Sequence, residues 1–207
     1  MTAPANSPAY LLAGGRSRRF GSDKATADRD GVPALTRLAE QLRAAGATSV
    51  TAVARAAGQY DDLKVRTIAD AVPDAGPLAG LDAALADAAE QGAAWALAAS
   101  CDLFDLPADW VKRLRTAATP GRLAVAFRPD RWEPFPGLYH VALRPAVRAR
   151  LAGGDRSLQA LLSAPATRAA AVPPPPDWPE RISYNTPAEL RVGPGRSRAR
   201  GSPAAPL

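Results

Sequence analysis

Short apolar segments typical of β-strands alternate with amphipathic helical segments along most of this chain. Consecutive parallel strands need a crossover between them, usually a helix, so this alternation predicts βαβ units and a mostly parallel sheet. The predicted strands cover 10–12, 50–53, 65–68, 95–100, 123–127 and 137–143, and the predicted helices cover 33–45, 78–89, 109–117, 145–151 and 157–162.

The length of 207 residues suits one domain with a sizeable core rather than two domains. We expect a single domain over 1–190, in which the four prolines of 173–176 form a stiff connector before the last element. The remaining residues, 191–207, are rich in Arg, Pro and Gly and predict a disordered tail.

The net charge of +6 is unevenly distributed along the chain. Residues 191–207 contain four arginines and no acidic residue, whereas 1–190 contain 22 basic and 20 acidic residues. The tail also lacks the aromatic residues that stack on nucleic-acid bases. Its basicity therefore does not predict a nucleic-acid partner.

Membrane and secretory signals are absent from the sequence pattern. No apolar run approaches the roughly 20 residues of a membrane span, and the first residues lack a basic stretch followed by an apolar one. Cys101 is the only cysteine, which excludes an internal disulfide and suits a reducing compartment. We therefore expect a cytoplasmic protein with no membrane partner.

A glycine-rich turn follows the first predicted strand directly, at Gly14 and Gly15. In α/β sheets such turns bind phosphates, because backbone N–H groups approach the anion closely at the strand ends. Four basic residues follow within a short distance: Arg16, Arg18, Arg19 and Lys24. The pattern is neither a Walker A loop nor G-x-G-x-x-G. It predicts a phosphate-binding loop, with a solvated basic loop as the alternative.

Two aspartates each follow a predicted strand, Asp70 after 65–68 and Asp102 after 95–100. The carboxyl ends of parallel strands meet at one sheet edge, so both side chains should lie near the glycine-rich turn. Mg²⁺ at phosphate sites takes one or two carboxylates together with substrate oxygens. Asp102 is the better metal candidate, because its strand is the most apolar and hence central. The alternative is that both aspartates are helix caps or loop ion-pair partners.

Five motifs occur in a fixed order over roughly 9–190: L-A-G-G-R-S-R-R-F-G-S-D-K, I-A-D, G-P-L-A-G, S-C-D and N-T-P-A-E-L. In this order they resemble the molybdenum cofactor guanylyltransferases, and the L-A-G-G…G-x-D-K motif is the most specific. The resemblance implies a Rossmann-like three-layer α/β nucleotidyltransferase fold, with a mostly parallel sheet and helices on both faces. It further implies transfer of GMP from GTP to molybdopterin or its molybdenum form, with Mg²⁺ as cofactor, and molybdoenzyme apoproteins as further candidate partners.

The resemblance also assigns residues by their positions in the motifs. The nucleotide-binding set it implies is Leu12, Ala13, Gly14, Gly15, Lys24, Asp70, Gly80 and Asp102. It implies that Asp102 also binds the metal, and that Lys24, Asp102 and Arg18 carry the catalysis.

Two features leave the exact activity open. The family's guanine-contacting Asn has no counterpart in the stretch V-A-R-A at 53–56, so a cytidylyltransferase or a non-catalytic carrier of nucleotide or cofactor stays an alternative. His140 and Cys101 are expected to be structural. A catalytic His or Cys is not needed, since a phosphate nucleophile is already ionised at neutral pH and the chemistry depends on positioning and charge neutralisation.

Overall fold

The computed structural model describes residues 7–14, 20–21, 23–70, 72 and 75–195. The strands of this part of the chain are β1 (Ala9–Leu12), β2 (Asp28–Arg29), β3 (Val32–Pro33), β4 (Val50–Ala54), β5 (Arg66–Ala69), β6 (Trp95–Ser100), β7 (Ala124–Phe127), β8 (Glu133–His140) and β9 (Ala169–Val172). The α-helices are α1 (Ala34–Ala44), α2 (Pro77–Glu90), α3 (Ala108–Ala117), α4 (Arg144–Ala152), α5 (Leu158–Ser163) and α6 (Pro187–Val192).

In the described residues, seven strands form one sheet in the order β5-β4-β1-β6-β8-β7-β9, and β2 pairs with β3 in a small hairpin. The strands β5, β4, β1 and β6 are mutually parallel, whereas β8 runs antiparallel to both β6 and β7. The predicted mixed α/β architecture with a mostly parallel sheet is therefore confirmed. The strand β6, predicted to be central, is the fourth of the seven.

The sheet is covered by helices on both faces. Because side chains alternate along a strand, Ala9 and Leu11 of β1 pack in one hydrophobic cluster, and Tyr10 and Leu12 pack in another. The first cluster contains the buried leucines of α1 and the apolar face of α3. The second contains apolar residues of α2, α4 and α5. The three predicted layers are thus present.

Several elements differ from the sequence predictions. The strand β8 begins at Glu133 rather than at 137, and Val141–Leu143 is a short 3-10 helix that ends the pairing. The β2–β3 hairpin turns at Asp30 and Gly31, both with positive φ, and was not predicted. The strand β9 was also missed, because its A-A-A-V sequence has no alternation, and pairing with β7 fixes it.

The last helix, α6, was not predicted either. Thr186 and Glu189 form a reciprocal capping box at its N-terminus, which satisfies backbone N–H groups that would otherwise lack partners. Arg191 and Val192, the first two residues of the predicted tail, belong to this helix. The predicted disorder of 196–207 lies outside the described residues.

No helix in the part of the chain described here is both long and apolar enough to cross a bilayer.

Candidate functional site

A cavity of about 240 Å³ opens at the carboxyl ends of the parallel strands. All the sequence-predicted site residues that the structure describes line it: Leu12, Ala13, Gly14, Lys24, Asp70, Gly80 and Asp102. Gly15 and Arg18 were predicted for the same site and lie outside the described residues. The topology thus brings together residues that are up to 90 positions apart in the sequence.

Lys24 is held at the cavity by three oxygen acceptors. Its Nζ lies 3.2 Å from Asp102 Oδ2, 3.0 Å from the main-chain oxygen of Tyr184 and 3.2 Å from Asn185 Oδ1. The side chain is only 13% exposed. The ammonium group is therefore fixed in place before any ligand binds, rather than free to move in solvent as in a solvated basic loop.

Asn185 was not singled out by the sequence, although it begins the N-T-P-A-E-L motif. It reaches Lys24 because the chain after the proline run returns to the sheet edge, where Leu103 and Ser183 form an isolated antiparallel bridge. The N–H of Tyr184 donates to the main-chain oxygen of Asp102 at 3.0 Å. The sequence signal for Asn185 was its place at the start of the last of the five motifs. That signal did not connect it with Lys24, because the two residues are 161 positions apart.

Asp102 lies two residues beyond Ser100, the last residue of the central strand β6. Its Oδ1 accepts a hydrogen bond of 2.6 Å from Ser100 Oγ, and its Oδ2 faces Lys24. With 23% of its side chain exposed, the carboxylate is partly accessible from the cavity. Asp102 thus takes part in an ion pair just after the strand, which was one of the alternative interpretations, and this pair lies at the cavity.

Asp23 fixes the turn that carries Lys24, a role the sequence did not reveal. Its Oδ1 accepts the N–H of Ala25 at 3.0 Å and caps the 3-10 helix Lys24–Thr26. Its Oδ2 accepts the hydroxyl of Tyr60 at 2.7 Å. Burial and the hydrogen bond to Asp23 raise the pKa of Tyr60, so this phenol remains a donor at physiological pH. Tyr60 thereby ties the Lys24 turn to the loop between β4 and β5.

We expect Tyr60→Phe to lower the free energy of unfolding by about 1.5–3 kcal/mol, since it removes a buried hydrogen bond to a carboxylate. It should also lower kcat/KM several-fold, because the turn that positions Lys24 loses its tether. Urea unfolding and steady-state kinetics measure the two effects.

Tyr10→Phe is the matched control for this variant. It removes another phenol-to-carboxylate hydrogen bond, from Tyr10 to Asp87 at 2.8 Å, in the packing between β1 and α2. This change should destabilise the fold similarly and leave kcat/KM unchanged. Equal losses of activity in both variants would contradict a positioning role for Tyr60.

Asp70, at the end of β5, faces the glycine-rich turn. A Cβ built on Gly14 would lie 3.7 Å from Asp70 Oδ2. The backbone of Asp70 continues the sheet, its N–H donating to the oxygen of Ala54 at 2.7 Å, and its Oδ1 accepts the N–H of Val72. The second predicted carboxylate therefore lies beside the glycine-rich turn, with one of its oxygens engaged by the backbone of its own loop.

The N-terminus of α2 opens on the same cavity. Gly76 has φ of 79°, which favours glycine, and it leaves the helix without a side-chain cap. Pro77 occupies the first turn, where its missing N–H costs nothing. Gly80 packs against β1, where a Cβ would lie 3.3 Å from Leu12 Cδ2. The positive end of the helix dipole favours an anion here.

The donor set of the cavity suits a magnesium ion that is shared with a substrate. Asp70 and Asp102 line one cavity, and Mg²⁺ takes one or two carboxylates and completes its octahedron with phosphate oxygens and water. Among the described residues, no group of three or more His, Cys, Asp or Glu side chains could hold a metal alone. The side chains present would therefore supply only part of a coordination sphere.

His140 and Cys101 have structural contacts. The His140 Nδ1 accepts the N–H of Ala142, and its ring packs edge-on against Trp95 at 5.0 Å between centroids. Burial lowers the pKa of His140 and raises that of Cys101, which keeps the imidazole neutral and the thiol protonated at neutral pH. Neither group is activated for acid–base or nucleophilic catalysis.

Comparisons with known proteins agree with this geometry. Residues 9–170 match the family model of the MobA-like NTP transferase domain. The chain is 38% identical over 154 residues to a probable molybdenum cofactor guanylyltransferase of Opitutus terrae, covering 74% of this chain and 76% of the relative. It is 40% identical over 160 residues to one of Deinococcus radiodurans, covering 76% and 79%.

A solved structure shares the fold. The molybdopterin-guanine dinucleotide biosynthesis protein A of Archaeoglobus fulgidus superposes with a TM-score of 0.70 at 18% identity. The match covers 90% of this chain and 96% of that one. At this identity the likeness shows a common architecture and nothing about substrates.

Proposed function

Because this chain belongs to the MobA-like NTP transferase family and is a nucleotidyltransferase, we propose that it transfers GMP from GTP to molybdopterin or its molybdenum form. The observation that supports this most directly is the Lys24–Asp102 pair, with 3.2 Å between Nζ and Oδ2, at the mouth of a cavity formed by the glycine-rich turn and the start of α2. Two relatives named as probable molybdenum cofactor guanylyltransferases support this choice of substrates.

In this proposal some site residues bind the nucleotide, and others neutralise the charge of its phosphates. The turn at Leu12, Ala13 and Gly14 offers close backbone approach to the nucleotide, and Gly15 is expected to continue it. The positive end of the α2 dipole and the ammonium of Lys24 bind phosphates electrostatically. Gly80 and Asp70 border the nucleotide from the two flanking elements. Arg18 is expected to add a further positive charge at the phosphates.

The reaction is an in-line displacement at phosphorus. An oxygen of the acceptor's phosphate forms a bond to the α-phosphorus of GTP, the bond from that phosphorus to the oxygen bridging to the β-phosphate breaks, and pyrophosphate leaves with the electron pair. Lys24 is fixed beside the site where negative charge accumulates, and preorganised charge of this kind lowers the barrier. The nucleophile needs no general base, in agreement with the structural contacts of His140 and Cys101.

Mg²⁺, held by the Asp102 carboxylate, would neutralise the triphosphate and orient its oxygens. Ser100 orients this carboxylate through its 2.6 Å hydrogen bond, so that one oxygen is fixed by the hydroxyl and the other faces Lys24. Lys24 in turn balances the carboxylate charge while the cavity is empty of phosphate.

Turnover with GTP and Mg²⁺ is the central test of this proposal. Purified protein is incubated with molybdopterin and GTP, CTP or ATP, with Mg²⁺ or with EDTA, and both pyrophosphate and the dinucleotide product are measured. We expect product with GTP and Mg²⁺ and none with EDTA, because the described side chains cannot neutralise a triphosphate alone. Reaction without any added divalent metal would contradict the proposed metal role.

The nucleotide panel also decides between the guanylyl and cytidylyl alternatives. Val53 lines the cavity at the end of β4, and it belongs to the stretch at 53–56 that lacks the guanine-contacting Asn implied by the resemblance. Faster turnover with CTP would assign the chain to cytidylyl transfer. Tight GTP binding without pyrophosphate release would instead assign it as a carrier. We further propose a cytoplasmic location, no nucleic-acid or membrane partner, and molybdoenzyme apoproteins as recipients of the product.

A further inference from the structure

A second cavity, of about 470 Å³, lies between the start of α3 and the segment that follows the proline run. It shares no lining residue with the nucleotide cavity. Its walls are mainly proline and aromatic or aliphatic side chains, namely Phe104, Pro107, Trp110, Pro176, Pro179 and Ile182. We refer to these six residues as the proline-aromatic groove. The volume lies within the range of ligand pockets, about 300–1,000 Å³.

The groove is preformed by aromatic packing beneath it. The Trp110 ring stacks on Trp178 with 4.4 Å between centroids and 22° between planes, and it meets Phe127 at 5.8 Å. Trp110 is 4% exposed, and its indole Nε1–H has no hydrogen-bond partner in the described structure. The groove therefore has a rigid apolar floor, which suits a ligand rich in apolar groups.

The end of the chain has the sequence features of such a ligand. Residues 200–206 read R-G-S-P-A-A-P, which is the pattern R-x-x-P-x-x-P. Segments of the P-x-x-P type dock in aromatic-lined grooves, because proline residues favour the extended polyproline conformation and lose little entropy on binding. Nothing in nucleotidyl transfer uses this motif.

The chain leaves the described structure at the groove itself. Pro194 and Gly195 line it, and the N–H of Arg181 fixes this point by donating to the oxygen of Pro194 at 3.1 Å. Arg200 follows Gly195 by five residues, a tether of at most about 18 Å. A tether this short gives the segment an effective concentration in the millimolar range at the groove.

Charge also favours this occupant. The exposed Asp177 lines the groove, and Glu180 lies beside the exit, its Oε2 3.1 Å from a Cβ built on Gly195. Asp105 is already paired with Arg29 at 3.2 Å, which leaves Asp177 as the acceptor on the groove wall. Residues 196–207 carry three arginines and no acidic side chain.

We propose that the proline-aromatic groove is the docking site for residues 196–207 of the same chain. The contacts we expect are between the two prolines of the R-x-x-P-x-x-P pattern and the apolar lining of the groove, and between its arginine and Asp177. The docking is independent of the nucleotidyl transfer proposed above, since the two cavities share no residue.

The test uses a chain shortened to 1–195 and a synthetic peptide of residues 196–207. Binding is followed by calorimetry and by tryptophan fluorescence, to which Trp110 and Trp178 contribute. We expect the peptide to bind the shortened chain saturably. A peptide with Pro203→Ala and Pro206→Ala should bind with at least ten-fold lower affinity. Asp177→Asn in the shortened chain should weaken binding several-fold and reduce its salt dependence, whereas the exposed control Asp62→Asn should not.

The full-length chain separates docking within one molecule from docking between two. We expect it to bind added peptide at least ten-fold more weakly than 1–195 does, because its own segment occupies the groove. Equal affinity of both chains, no saturable binding to 1–195, or indifference to the proline substitutions would each overturn the proposal. Concentration-dependent dimerisation of the full-length chain that is lost in 1–195 would overturn docking within one molecule. Turnover by 1–195 should equal that of the full-length chain.

Discussion

Lys24→Ala is expected to lower the rate of nucleotidyl transfer at least about 10²–10³-fold without unfolding the protein. The lower bound follows from the loss measured when one preorganised electrostatic contact to a transition state is removed. Lys24 is held by three oxygen acceptors at 3.0–3.2 Å, so its charge is fixed before the substrate arrives. Removing it leaves the phosphate charge of the transition state less neutralised and Asp102 without its cation.

The fold should tolerate this change. The ion pair is partly exposed, and such pairs stabilise proteins by about 0–1 kcal/mol. Lys112→Ala, at an exposed position on α3, is the matched control and should retain full activity. Lys24→Arg should also lose most activity, because a planar guanidinium cannot reproduce three contacts to a compact ammonium group. Wild-type turnover in Lys24→Ala would contradict the role assigned to this residue.

The site residues that could be predicted from the sequence are those whose positions follow from the local pattern and the sheet topology together. Asp70 and Asp102 follow apolar strands, and parallel strands place such residues at one edge, so both were expected beside the turn at Gly14. The structure brings all three to one cavity. The choice of Asp102 as the residue after the central strand followed from the apolar character of β6, which is buried from Trp95 to Ala99.

Contacts between distant segments could not be predicted in the same way. Asn185 reaches Lys24 only because the segment after the proline run returns to the sheet edge, and Tyr60 reaches Asp23 across 37 residues. Neither contact has a periodic or spacing signal. The helix α6, in contrast to these two contacts, does have a local sequence signal. The Thr186-x-x-Glu189 pattern is that of a capping box, which indicates the start of a helix.

Two groups of basic residues carry the functions proposed above, and they differ in their surroundings. Lys24 lies at the cavity at the carboxyl ends of the parallel strands, where its ammonium group contacts three oxygen acceptors. The arginines of 196–207 follow a groove with an exposed acidic residue, Asp177, on its wall. A single net charge of +6 combines these groups, and it does not distinguish the charge proposed for catalysis from the charges proposed for docking.

Asp102→Asn is expected to abolish turnover, with a loss of at least about 10³-fold, because it removes the carboxylate proposed to hold the metal while keeping the shape of the side chain. The Asn oxygen can still accept from Ser100, so the end of β6 should remain ordered and thermal stability should change little. Turnover is measured against Mg²⁺ concentration, and GTP-dependent thermal stabilisation is measured with and without Mg²⁺. Asp62→Asn, at an exposed position, is the charge-matched control.

The double variant Lys24→Ala with Asp102→Asn tests whether the two residues act as one unit. Their side chains are in contact at 3.2 Å, and residues in direct contact give non-additive effects. We expect the double variant to be no slower than Asp102→Asn alone, because without the carboxylate Lys24 has no correctly oriented triphosphate to neutralise. Strictly multiplicative losses would instead mean that Lys24 and Asp102 act on the substrate independently, and would contradict a shared function of the pair.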